Sequence, residues 1–126
     1  MPLVRIDLRA GKPPEYLRAI ADGIYAAMRE YFAVPEDDRF MLISQHASEE
    51  FVYDPTYLDI RRSDDLVIVQ ITANNTRTLE QKKAFYADVA RRLSESPGLR
   101  PEDVLISLVE VPKENWSFGL GLAQYA

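Results

Sequence analysis

The chain has 126 residues, 47% of them hydrophobic, which suits one domain with a sizeable core. Asp and Glu outnumber Lys and Arg by 20 to 15, for a formal net charge of −5, and there is no basic stripe or Lys-rich tail; nucleic acid and anionic membrane are poor partners for such a chain. With no cysteine, disulfides, thiol nucleophiles and thiolate metal sites are excluded and a cytoplasmic location is expected; no apolar run is long enough for a signal peptide or a membrane span.

In Leu3-Val4-Arg5-Ile6-Asp7-Leu8, polar Arg5 and Asp7 alternate with Val4, Ile6 and Leu8, the period-2 pattern of a half-buried strand. After a loop at Arg9–Pro13, Leu17, Ile20, Ala21, Ile24, Tyr25, Met28, Tyr31 and Phe32 recur at three- and four-residue spacing, which predicts a helix over 14–32 opened by Pro14. Gly23 within it is tolerable but unfavourable. A second strand is expected over 39–44, a short third piece at Phe51-Val52-Tyr53, and a turn at Asp54–Tyr57. Leu66–Thr72 is almost continuously apolar, as in a strand buried on both faces. Thr78 with Gln81 forms a capping-box pattern opening a second helix, which Ser96-Pro97-Gly98 stops. Leu105–Val111 is the last strand, and Trp116–Gly121 reads as an ordered closing segment.

The two halves, about 1–60 and 61–126, repeat one order: strand, long helix, Pro-Glu-Asp turn (Pro35–Asp37 and Pro101–Asp103), strand. A β-α-β crossover makes its two strands parallel neighbours. Two such units predict an α/β (α+β) single domain with a four-stranded sheet and both helices on one face. The other face needs cover, which predicts a symmetric oligomer.

A residue as small as Pro2 permits removal of Met1, so the mature chain is expected to start with a secondary amine. An α-amino group titrates near ~7.7–8.0, within reach of acid/base work at neutral pH. The duplicated β-α-β with Pro2-Leu3-x-x-x-Asp7-Leu8, Val34-Pro35-x-x-Asp38-Arg39, Glu80–Tyr86 and Trp116-Ser117-Phe118-Gly119 resembles the tautomerase superfamily, closest to its malonate semialdehyde decarboxylase-like branch. The matching stretches run from the first residues nearly to the last.

The resemblance implies a cofactor-free homotrimer in which Pro2 is the catalytic acid/base and Asp38 and Arg77 are further catalytic residues. In the decarboxylase-like branch an Arg-x-Arg pair holds the substrate carboxylate; its second member falls on Arg77 and its first on Asn75. That departure favours keto–enol tautomerisation of small 2-oxo or 3-oxo carboxylic acids over decarboxylation. Malonate semialdehyde decarboxylation, hydration or dehalogenation of short acids, and a non-catalytic trimeric binding protein are the alternatives.

On chemical grounds, Arg77 at a helix start suits binding of a carboxylate through paired hydrogen bonds. Asp38 can orient water or share a proton, and Asn75 can donate to a carbonyl. Trp116 and Phe118 either wall the pocket, as substrate-binding residues, or pack between subunits. His46, the single histidine, is a poor metal ligand without clustered partners and is expected to be structural, so no metal is predicted. Arg61 and Arg62 read as a solvated loop, with a neighbouring pocket as the alternative. No Gly-rich phosphate loop is present, so no nucleotide cofactor is implied.

Overall fold

Strand and helix periodicities fold the chain into two β-α-β units joined edge to edge. The computed structural model describes residues Pro2 to Ala126. Strands β1 (Leu3–Arg9), β2 (Phe40–His46), β3 (Val67–Asn74) and β4 (Val104–Val111) form one sheet in the order β2-β1-β3-β4. The pairs β1/β2 and β3/β4 are parallel, whereas β1/β3 is antiparallel. Helices α1 (Pro14–Tyr31) and α2 (Leu79–Glu95) are the crossovers.

One sheet face makes the core. Val4, Ile6 and Leu8 of β1 and Val67, Val69 and Ile71 of β3 are buried with Ile20, Ile24 and Met28 of α1 and Phe85, Val89 and Leu93 of α2. Each fully buried aliphatic or aromatic side chain contributes on the order of 1.5–3 kcal/mol. Phe85 stacks on Phe32 at 4.3 Å between centroids, at the C-terminal end of α1. Gly23 has a packing reason: a Cβ there would lie 2.9 Å from Leu93 Cδ2, so the missing side chain lets the helices approach closely.

β3 is not buried on both faces, contrary to what its near-continuous apolar run predicts. Its core-facing positions are buried, but on the opposite face Gln70 is exposed and Ile68 and Thr72 are only partly covered. That face also carries Leu3, Phe40, Leu42, Leu105 and Val109, with Phe40 54% and Leu42 49% exposed. Nor does Phe51-Val52-Tyr53 form a strand: it is irregular, with Phe51 buried and Val52 at the surface. It is held by Arg9, whose guanidinium donates to Phe51 O, pairs with Asp64 at 2.9 Å and lies over the Tyr53 ring. Among the described residues, no helix is long and apolar enough to cross a membrane.

Three local devices fix the helices. The capping box forms as predicted, with Thr78 Oγ1 accepting from Gln81 N–H and Gln81 Oε1 accepting from Thr78 N–H. Gln81 Nε2 also donates to Tyr31 O, so the start of α2 caps the end of α1. On the outer surface Asp88, with a 5% exposed side chain, accepts from Arg91 and Arg92, and Arg92 reaches Glu30 of α1 at 2.7 Å. Burial opposes the Asp88 charge, but the Arg92 and Arg91 hydrogen bonds outweigh it and hold its pKa below the ordinary carboxylate value.

A carboxylate with a depressed folded-state pKa stabilises above its unfolded value of ~3.9 and loses that contribution as pH falls through the folded value. Urea unfolding of Asp88→Asn against the parent is expected to show a destabilised variant at pH 7 and a gap that narrows as pH falls below ~4.

Candidate active site

The antiparallel β1/β3 register builds the site. Leu3 pairs with Phe40 of β2 on one side and Thr72 of β3 on the other. Pro2, one residue earlier and buried, therefore sits at the sheet end where β2 starts and β3 finishes. The loops leaving that end carry Asp38, Asn75 and Arg77.

Asp38 lies just before β2, on a turn in which its N–H donates to Pro35 O at 3.2 Å. The turn is pinned to α1: the Tyr25 hydroxyl donates to Glu36 O, and Arg39 pairs with Asp22 at 2.6 Å while lying over the Tyr25 ring. Asp38 is half-buried, with its Oδ1 fully enclosed.

Arg77 is half-buried between α1 and β3. Its Nη2 donates to Phe32 O at 2.9 Å, its Nη1 reaches Asn74 O at 3.5 Å, and its guanidinium lies 5.1 Å from the Phe32 ring centroid. A cation among the last carbonyls of a helix is favourably placed against the helix dipole. Burial lowers its pKa from the ordinary arginine value, against the opposing charges of Asp38 and Glu110. Asp38 and Arg77 are thus electrostatic neighbours. A guanidinium so placed keeps its charge.

Asn75 does not join the cluster as directly. It is exposed in the turn after β3, and its N–H extends the ladder to Val111 O at 3.1 Å. The residue before it, overlooked in the sequence, is the organising one. Asn74 is 7% exposed and its Oδ1 accepts from Trp116 Nε1 at 2.8 Å, while its carbonyl faces Arg77. A signal for it existed: a polar residue closing an apolar strand on the face shared with Ile68, Gln70 and Thr72.

Trp116 stacks on Phe118 with centroids 5.4 Å apart, and Phe118 meets the edge of Tyr125 at 4.7 Å. Phe118 and Tyr125 line a cavity of about 330 Å³ with Pro35, Asp37, Asp38 and Phe40. Phe118 is thus a wall of the cavity, and Trp116 stands behind it. Tyr125 was missed because it lies beyond the two tail glycines, where no periodicity marks it. A larger hollow, about 590 Å³, lies between α1 and α2 beside Asp22, Gly23 and Arg92, where none of the candidate residues reaches.

His46 is remote from this end. Its Nε2 lies 2.7 Å from Asp7 Oδ1, at the other end of β1 and β2. Among the described residues, no group of three or more His, Asp or Glu is arranged to hold a metal ion. Arg62 does not simply point into solvent: its Nη1 donates to Tyr57 O and Ile60 O, while Arg61 O accepts from Arg100.

A buried terminal position and a guanidinium lie at the sheet end where a carboxylate and an aromatic wall line a cavity, an arrangement suited to proton transfer. A family model described as tautomerase enzyme matches residues 38–119, and another of the same description matches residues 2–61. The chain belongs to the tautomerase family of enzymes. It is 44% identical over 124 residues to the probable tautomerase YusQ of Bacillus subtilis (strain 168), covering 98% of each chain. A second probable tautomerase of that strain, YrdN, is 34% identical over 99% of this chain and 96% of its own. Among solved structures, malonate semialdehyde decarboxylase superimposes with a TM-score of 0.91 at 34% identity, covering 98% of this chain and 95% of the other.

Proposed function

We propose that this tautomerase-family enzyme catalyses keto–enol tautomerisation of small 2-oxo carboxylic acids, with the amine of Pro2, freed by removal of Met1, as its acid/base. The observation that carries the reading is the β1 register, which sets buried Pro2 at the sheet end bearing Asp38 and Arg77.

In the neutral state the amine takes the proton of the enol hydroxyl and returns a proton to C3, while the C2–C3 double bond becomes C2–O. Atoms and charges balance, and the amine ends as it began. Burial at the strand end disfavours the cationic amine, and the Arg77 charge adds to that effect. The same guanidinium holds the substrate carboxylate. Asp38 orients the substrate or a water molecule, Asn75 is an outer hydrogen-bond donor, and Phe118 with Trp116 forms the wall.

A second reading has a specific basis in the 34% identity to malonate semialdehyde decarboxylase, whose structures concern decarboxylase and hydratase activities. It would use a cationic Pro2 to stabilise charge developing on a carbonyl oxygen. Asn75, where the Arg-x-Arg pattern has its first arginine, weighs against it.

We also propose that residues 1–126 act as a single domain assembled into a cytoplasmic homotrimer. The apolar, exposed Phe40 and Leu42 on the uncovered sheet face support the assembly. So does the likeness in fold to the fused 4-OT protein, a symmetric trimer, although at 19% identity that likeness concerns fold alone.

Sedimentation is expected to give three copies of the 14.4 kDa chain, and Leu42→Arg is expected to give single copies. Intact mass is expected to show loss of Met1, and Pro2→Ala, processed in the same way, is expected to lose roughly 10²–10⁴-fold in kcat/KM on the enol of a 2-oxo acid. Retained Met1, or undiminished turnover by processed Pro2→Ala, removes the amine from the mechanism.

A further inference from the structure

The cavity beside Asp38 has an unusual balance for a site that takes an acid. Its lining side chains are Pro35, Asp37, Asp38, Phe40, Phe118 and Tyr125. Ionised Asp37 and Asp38 can only accept hydrogen bonds, and Pro35, Phe40 and Phe118 offer no side-chain donor. A carboxylate entering there meets two like charges. Among the described side chains that line the cavity, the Tyr125 hydroxyl is the one group able to donate.

Tyr125 is also held where it can serve. The tail reverses through Gly119, Leu120 and Gly121, with φ of +134°, +62° and +70°. A leucine in the left-handed region costs on the order of 1 kcal/mol, so the reversal needs support. Gln124 supplies it: its Oε1 accepts from Phe118 N–H at 2.9 Å and its Nε2 donates to Gly119 O at 2.8 Å. This clamp closes the loop and brings the Tyr125 ring edge-on to Phe118, which is itself stacked on Trp116. Tyr125 stays 43% exposed, open to the cavity.

We propose that Tyr125 is a substrate-binding residue whose phenolic O–H donates to a carboxylate oxygen of the substrate from the cavity wall. It supplies a neutral donor at the cavity wall, whereas Asn75 lies exposed on the turn after β3. A neutral donor also suits the proposed chemistry, because it binds the anion without a second positive charge beside the Pro2 amine. The assignment rests on the proposed tautomerase mechanism and adds a second residue that binds the substrate.

The test compares Tyr125→Phe and Pro2→Ala with the parent enzyme, using phenylenolpyruvate as substrate. Tyr125→Phe keeps the ring and its contact with Phe118, so its thermal midpoint is expected to match the parent's. A hydrogen bond to the carboxylate is made equally in ground and transition states. Its loss is therefore expected to raise KM about tenfold and leave kcat nearly unchanged. Parental KM in Tyr125→Phe, with Pro2→Ala inactive, overturns the Tyr125 assignment and leaves the proposed function standing. A Pro2→Ala enzyme as active as the parent overturns the function on which the assignment rests.

Discussion

The antiparallel pairing of β1 with β3 is the constraint on which the rest depends. Each β-α-β unit alone is a parallel pair with a crossover helix. Joining them through β1 and β3 puts the start of the first strand beside the end of the third, through the pairs Leu3↔Thr72 and Val4↔Ile71. A one-residue slip would turn the buried Val4, Ile6 and Leu8 to the opposite face, so the core enforces the register. The position of Pro2 beside the β3–α2 loop therefore follows from hydrophobic patterning well away from it.

The same junction is tied a second time by polar groups at the helix ends. Arg77 and Gln81, both near the start of α2, donate to Phe32 O and Tyr31 O at the end of α1. These bonds satisfy carbonyls that a helix terminus leaves without intrahelical partners. They also fix the loop that carries the guanidinium. Arg77 is thus structural and electrostatic at once: its partners are backbone carbonyls, and its electrostatic neighbours are Asp38 and Glu110.

Much of this was legible in the sequence because it rests on short-range signals. Helix periodicity, the Thr78–Gln81 box and the paired Pro-Glu-Asp turns gave both units, and the resemblance supplied the functional frame. Both sheet faces of β3 read as buried because Leu66–Thr72 is apolar throughout, yet one face of the chain stays open; composition does not say whether an apolar residue is covered by its own chain. Asn74 and Tyr125 were missed for another reason. Asn74 gains its role from Trp116, 42 residues away, and Tyr125 from a tail reversal that depends on Gln124. Contacts of that range leave no periodic trace. Asn75, adjacent in sequence to the organising residue, lies exposed on the turn.

Under the proposed function the protonation state of one amine is decisive: a neutral Pro2 would serve tautomerisation and a cationic one decarboxylation or hydration. The most direct measurement is an NMR titration of enzyme labelled with ¹⁵N-proline, following the nitrogen of Pro2. The account predicts a free secondary amine that titrates near neutrality, at or below the ~7.7–8.0 of an ordinary α-amino group. A Pro2 nitrogen found as an amide under retained Met1, or an amine that titrates only well above pH 9, would contradict it.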